Sequence, residues 1–509
     1  MQTRAIHQPR SAPWTHRYVG PLVALALVGL LAGCARSGQR AFKSTVWTAD
    51  GVRYTQFKDQ VFGGKAVVAE RGLRAGPTVL LVHGVGENAA ADWSLVERAL
   101  AGRYRVLTVD LPGFGRSSHA NKLYSPERYA QFLREVVVQI AGGPVLLVGH
   151  SMGGAVCLRF AATSPELVRR LALVDVAGVL HREAFVSHVV RQQVSRLGSY
   201  GRWLLPHAQR GGERLMGVSD RLGLRPGAAL RSAASRLALL GGNPSRIAGL
   251  ALMVDALGAT LELVRAETLL IWGTDDPIAP LRTGYLLRAR LPNARLALIA
   301  GAHHVPMKER PADFNRLLLP FLAGEQVGFP VAPSTITAAA TPAASPIAGV
   351  DAAWHIARCD NTPDQVIEGN FDAVQAKNCR NLVIRNVRTQ AIQLDNCTAQ
   401  LRDVEVRARA GQPALIATES RLRMTGGLLM GDAALVTSGS HLDLAGVRLI
   451  SASGLLCGRK ASPLVASVCT VEPVAGGTRR HLHGHWRVLP GTTLRGEAPL
   501  RTTTATEAP

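Results

Sequence analysis

Gly149-His150-Ser151-Met152-Gly153 stands directly after the apolar stretch Pro144 to Val148 and just before a helical run that begins near Ala155. A serine in a G-x-S-x-G pentapeptide between strand and helix occupies a strained turn that lifts its Oγ clear of the sheet edge. Small residues at Gly149, Gly153 and Gly154 keep strand and helix from colliding there. The helix N-terminus behind the serine presents backbone N–H groups to any negative charge that develops at that edge.

Working outward from this turn, continuous apolar runs recur at Thr78 to Val82, Arg105 to Val109, Leu171 to Val174, Thr268 to Trp272 and Arg295 to Ile299. Strands buried on both faces read this way, so residues 41–326 predict a mostly parallel sheet covered by helices. Within that span residues 177–260 carry no strand pattern but helical stretches at Phe185 to Leu204 and Pro226 to Leu240, broken at Gly211-Gly212 and Gly241-Gly242. They predict a helical cap over the sheet, apolar on one face.

Four further loops each follow one of these strands: Leu81-Val82-His83-Gly84-Val85-Gly86, Asp110 to Ser117, Trp272 to Pro280, and Gly301-Ala302-His303-His304-Val305-Pro306. With the serine turn they resemble the α/β-hydrolase superfamily, in its capped branch of serine esterases, lipases and carbon–carbon bond hydrolases. The resemblance implies Ser151 as nucleophile, His304 as general base and Asp276 as the orienting acid. Asp275 is the close rival for the acid and Asp175 a third candidate. It also implies an oxyanion hole from the N–H groups of Val85 and Met152, and a purely structural role for the Asp110 to Ser117 turn. His303 departs from the family pattern, which usually has Gly there. Serine rather than aspartate at the turn excludes the alkyl-ester mechanism of haloalkane dehalogenases and epoxide hydrolases. The expected activity is hydrolysis of a small-molecule or lipid carboxylic ester through an acyl-enzyme, with no cofactor and no metal. Two alternatives stand beside it: a carbon–carbon bond hydrolase of the same fold, and a non-catalytic envelope binding or assembly lipoprotein.

Arg4, Arg10 and Arg17 precede an uncharged apolar run from Tyr18 to Gly33, too short and too sharply ended for a stable membrane span. It ends in Leu31-Ala32-Gly33-Cys34, which resembles a bacterial lipobox. That resemblance implies a signal peptide over 1–33, lipidation at Cys34, a tether over 34–40 and a membrane-anchored protein of the bacterial cell envelope. Ala35 follows the Cys, and the absence of aspartate there resembles outer-membrane sorting in an organism that has an outer membrane.

Residues 327–350 are rich in Pro, Ala, Thr and Ser and predict a linker. Beyond it Leu382, Ile384 and Val387 recur as Ala399, Leu401 and Val404, as Leu422, Met424 and Gly427, and as Leu442, Leu444 and Val447. A second stripe runs through Ala391 to Leu394, Ala414 to Ala417, Ala434 to Thr437 and Gly454 to Cys457. Asn386, Asp403, Gly426 and Gly446 tolerate the left-handed backbone that a corner needs. Two in-phase stripes with a corner predict a right-handed parallel β-helix over 351–475, with carbohydrate or envelope contact as one role and a spacer as the other. Cys379 and Cys397 fall at matching points of adjacent repeats, as a disulfide or as stacked thiols. Residues 476–509 read as an irregular tail, in which alternating His481, His483 and His485 are a weak zinc candidate.

The chain has 58 basic against 36 acidic residues, a formal charge of +22. The arginines are scattered and no nucleic-acid module is visible, so an anionic surface of phospholipid or lipopolysaccharide fits this balance better than nucleic acid.

Overall fold

The computed structural model describes residues 43–86, 89–181, 184, 226–255, 257–325, 355–452, 454–474, 476, 478–491 and 493–494. The leader, Cys34, the expected helix Phe185 to Leu204 and the linker lie outside them.

Nine strands form one sheet in the order β1-β2-β3-β5-β4-β6-β7-β8-β9. These are β1 (Ser44–Ala49), β2 (Val52–Lys58), β3 (Lys65–Gly72), β4 (Thr78–Val82), β5 (Arg105–Asp110), β6 (Val145–His150), β7 (Val168–Val174), β8 (Glu267–Gly273) and β9 (Ala294–Ile299). From β5 to β9 all neighbours are parallel. Every residue of β6 is buried, as its unbroken apolar run requires. Among the described residues the helices are α1 (Ser94–Leu100), α2 (Pro126–Val136), α3 (Met152–Thr163), α4 (Ala233–Leu240), α5 (Pro244–Val254), α6 (Leu281–Arg290), α7 (Pro306–Glu309) and α8 (Pro311–Ala323).

Two features depart from the sequence reading. The first three strands, absent from it, run antiparallel at one edge of the sheet. Their signal was local: Asp50-Gly51, both at positive φ (51° and 70°), close the β1–β2 hairpin. Within the expected cap, Pro226 to Leu240 is a 3₁₀ turn (Pro226–Leu230) followed by α4, which Ser232 caps and Gly241 ends at φ 67°. Helix α5 starts from an Asn243 cap with Pro244 in its first turn, an Asn-Pro signal that marks a helix start.

The C-terminal portion is built from parallel strands in two sheets. Ile356–Asp360, Ala373–Lys377, Ala391–Asp395, Leu415–Thr418, Leu435–Ser438 and Leu455–Cys457 lie side by side in one. Val366–Asn370, Leu382–Thr389, Thr398–Arg402, Arg421–Thr425, His441–Ala445 and Ser462–Glu472 do so in the other. Strands alternate between the sheets along the chain, and residues of both fill one core. Both stripes of the repeat lie in register: Leu382 opposite Ala399, Ala399 opposite Leu422, Leu422 opposite Leu442, and likewise Ile392, Leu415, Leu435 and Leu455. Asn386, Asp403, Gly426 and Gly446 all have φ between 51° and 67°.

Cysteine pairing differs from the sequence alternatives. The disulfide joins Cys359 to Cys379, and Cys397, Cys457, Cys469 and Cys157 are free and buried. Cys397 does sit beside Cys379, its Sγ 3.4 Å from the Cys379 amide. Cys359 belongs to the first turn of the stack, before the recognisable repeat starts. The expected tail contains the strand Arg480–Val488, paired antiparallel with Ser462–Glu472. His481, His483 and His485 ride on it; the His483 ring meets His181 edge-on with centroids 5.4 Å apart. Among the described residues no group of three potential ligands is gathered for a metal ion.

The two portions pack against each other through α6. Arg282 binds Asp443 (2.6 Å), the Thr425 hydroxyl (2.7 Å) and the Met424 carbonyl, and Arg288 binds Asp403 (2.5 Å). Arg290 pairs with Glu262 and reaches Thr470. Burial alone would raise the Asp443 pKa, but the Arg282 and Arg423 charges overcome it and hold that carboxyl below its ordinary value. Near the cap, the His181 amide donates to the Ser467 hydroxyl (2.9 Å).

Candidate active site

Strand β6 ends at His150, and Ser151 follows at φ 55° before α3 starts at Met152. This left-handed turn costs a β-substituted residue energy, and the surroundings must hold it. They do so by leaving no room for side chains: a Cβ on Gly153 would lie 2.4 Å from the carbonyls of both Val82 and His83. The β4 loop passes just as close, since a Cβ on Gly84 would come within 2.8 Å of the Ser151 Cβ.

The structure brings Ser151, His304 and Asp276 together from three loops. His304 Nε2 is 3.0 Å from Ser151 Oγ, and His304 Nδ1 is 2.8 Å from Asp276 Oδ2. Asp276 is buried, and its Oδ1 accepts from the amides of Ile278 (2.7 Å) and Ala279 (2.9 Å), which fixes the carboxylate. Asp275 points to solvent and takes the Thr274 hydroxyl; His303 is also turned outward, toward Glu309. Asp175 is buried next to Asp276 without touching His304. Met152 is buried at the head of α3, while Val85 is 41% exposed on the loop beside Ser151. Cys34 lies outside the described residues.

Two histidines brace this site, and sequence reasoning gave neither a role. The His83 ring accepts from the Leu111 amide at Nε2 (3.0 Å) and donates from Nδ1 to the Gly84 carbonyl (2.7 Å), locking the β4 loop to the β5 loop. Burial keeps it neutral by lowering its pKa. His150 Nε2 donates to the backbone carbonyl of His304 (2.7 Å), tying the serine turn to the histidine loop. Burial and the neighbouring His304 lower the His150 pKa to about 4.

A folded-state value that far below the ordinary 6.5 has a definite sign in stability. Above pH 6.5 both states are neutral and nothing changes. As pH falls from 6.5 toward 4 the unfolded chain takes up a proton that the folded chain refuses, and folding weakens by about 1.4 kcal/mol per pH unit. The unfolding midpoint in urea is expected to fall between pH 7 and 5, and less so in His150→Gln; an identical decline in both proteins would remove His150 as its source.

Val176, Leu180, Leu252, Met253, Ile278 and Pro280 line a pocket between α5 and the loop that carries Asp276. Its apolar wall suits the hydrocarbon part of a substrate.

Residues 77–311 match the family described as alpha/beta hydrolase fold. A 2-hydroxy-6-oxo-2,4-heptadienoate hydrolase of Pseudomonas putida is 30% identical over 268 residues, 49% of this chain and 91% of that one. An uncharacterized protein of Mycobacterium tuberculosis is 31% identical over 270 residues, 49% and 76% of the two chains. The pimeloyl-(acyl-carrier protein) methyl ester esterase of Yersinia enterocolitica is 27% identical over 256 residues, 48% and 92%. Among solved structures, a thermophilic esterase from Thermogutta terrifontis aligns over 53% of this chain and 99% of its own at 21% identity, with a TM-score of 0.39. This chain belongs to the α/β-hydrolase family. It is a hydrolase.

Proposed function

We propose that this hydrolase cleaves carboxylic esters through an acyl-enzyme formed on Ser151. The continuous hydrogen-bonded line from Ser151 Oγ through His304 to Asp276 carries the reading. His304 Nε2 takes the hydroxyl proton as Oγ attacks the carbonyl carbon, then returns it to the leaving alcohol. Asp276 keeps the other ring proton on Nδ1 and stabilises the imidazolium that forms. The amides of Val85 and Met152 stabilise the oxyanion, the second with the dipole of α3 behind it. Water, activated by the same His304, then releases the acid.

Carbon–carbon bond cleavage is the second reading, favoured by the likeness to the Pseudomonas putida hydrolase. The carboxyl-side stack of parallel strands is read as a right-handed β-helix over 351–475, facing envelope carbohydrate. Cys34 is read as the lipidated residue of an envelope protein whose leader ends at Gly33.

The test is hydrolysis of p-nitrophenyl esters from acetate to palmitate by residues 41–509 beside Ser151→Ala. Turnover that the substitution removes supports the ester reading, and the preferred chain length sizes the apolar pocket. Absence of turnover on every ester moves the assignment to carbon–carbon cleavage or to a non-catalytic binding role.

A further inference from the structure

Asp175 is a carboxyl beside the site to which the acyl-enzyme route gives no task. It follows β7 at φ 43°, is fully buried, and its Oδ1 accepts from the Gly273 amide (3.0 Å). Its Oδ2 is buried with no donor among the described residues. The Asp276 carboxyl lies within hydrogen-bonding reach of it.

Two carboxyl groups at that separation need one proton between them. The donors around each decide which holds it. Asp276 already accepts from Ile278, Ala279 and His304, three N–H groups that favour its charged form. Asp175 accepts from Gly273 alone and has no water access. The negative charge therefore rests on Asp276, and the proton on Asp175 Oδ2, where it supplies the donor that this oxygen's surroundings lack.

We propose that Asp175 is a neutral carboxylic acid that donates a hydrogen bond to Asp276 and so positions the carboxylate that holds His304. The proposal rests on the Ser151–His304–Asp276 reading. Burial first, then the Asp276 charge and more weakly that of Glu309, push the Asp175 pKa well above the usual carboxylate range. Among the described residues the charges of Asp276 and Glu309 act on it, and His304 bonds to Asp276. Such a donor fixes the orientation of the Asp276 carboxylate, so the ring proton stays on His304 Nδ1 while Nε2 works on Ser151. A positioning role of this kind changes turnover and leaves substrate binding alone.

The experiment has two arms, both on the full chain. The infrared spectrum at pH 7 is expected to hold a carbonyl band of an un-ionised carboxylic acid that Asp175→Asn removes. If no such band is lost, the proposal is overturned whatever any activity assay shows. In the second arm the rate of Ser151 labelling by a fluorophosphonate is followed against pH. Asp175→Ala is expected to slow it on the order of tenfold. Asp175→Asn, whose amide accepts from Gly273 and donates to Asp276 as the protonated acid does, recovers most of that rate with the acidic limb unmoved. An ionised Asp175 gives the opposite result, because its replacement by Asn removes a charge and shifts that limb to lower pH. A shifted limb, an Asn variant as slow as the Ala variant, or an Ala variant as fast as the parent each overturns the proposal. A parent chain inert to every ester and to the fluorophosphonate sinks the esterase reading instead, and the infrared arm still decides the state of Asp175.

Discussion

Asp276→Asn is expected to lower kcat on p-nitrophenyl esters by about 10³ to 10⁴ with little change in KM. The carboxylate takes two backbone amides on Oδ1 and the His304 Nδ1–H on Oδ2. In the Asn variant the carbonyl oxygen keeps the two amides, and the NH₂ group then faces His304. A donor facing Nδ1 drives the ring proton to Nε2, where it meets Ser151 Oγ, so the ring can no longer accept the hydroxyl proton. Because the substitution leaves shape and burial intact, substrate binding persists and only turnover is lost. A fall of less than tenfold would mean that Asp276 is not what holds the imidazole.

Gly273→Ala is expected to cost on the order of 3 kcal/mol of stability and most of the activity. Gly273 ends β8, and a Cβ there would lie 2.2 Å from the His303 carbonyl and 2.5 Å from that of Ala302. Both atoms are backbone of the loop that carries His304, so the new methyl can only be admitted by pushing that loop away from Ser151. The same residue donates its amide to Asp175, which ties a third loop to the displacement. Urea unfolding and esterase rate measured together check this, with Gly143→Ala as the comparison, since a Cβ on Gly143 meets nothing within 4 Å. Equal midpoints for the two variants would show that the loop yields freely.

The central strands were legible because each carries an apolar run, and all but Val168–Val174 stop at a loop with a recognisable pattern. The outermost strand was not, since Ser44–Ala49 is exposed throughout and offers no apolar run to read. Ser151 and His304 stand in loops whose spacing singles them out. Asp275 and Asp276 are adjacent in one loop, and only the fold shows which of the two turns inward. His150 was in plain view inside the serine pentapeptide, yet its bond to the His304 carbonyl spans 154 positions of sequence. The contacts of α6 with the C-terminal strands are equally non-local: Arg282 and Asp443 are 161 positions apart, and nothing in either neighbourhood announces the other.

Those α6 contacts have a consequence in terms of concentration. Residues 326–354 join the two portions, so Arg282 and Arg288 meet their carboxylate partners as an intramolecular event, at an effective concentration on the order of millimolar. At that concentration an interface with a dissociation constant of about tens of micromolar would be almost fully closed. A protease cut between Glu325 and His355 would leave every contact of α6 in place and still dilute its partner to whatever the solution contains. Arg282 stands only six positions after Asp276, so that interface begins close to the segment that carries the carboxylate bonded to His304.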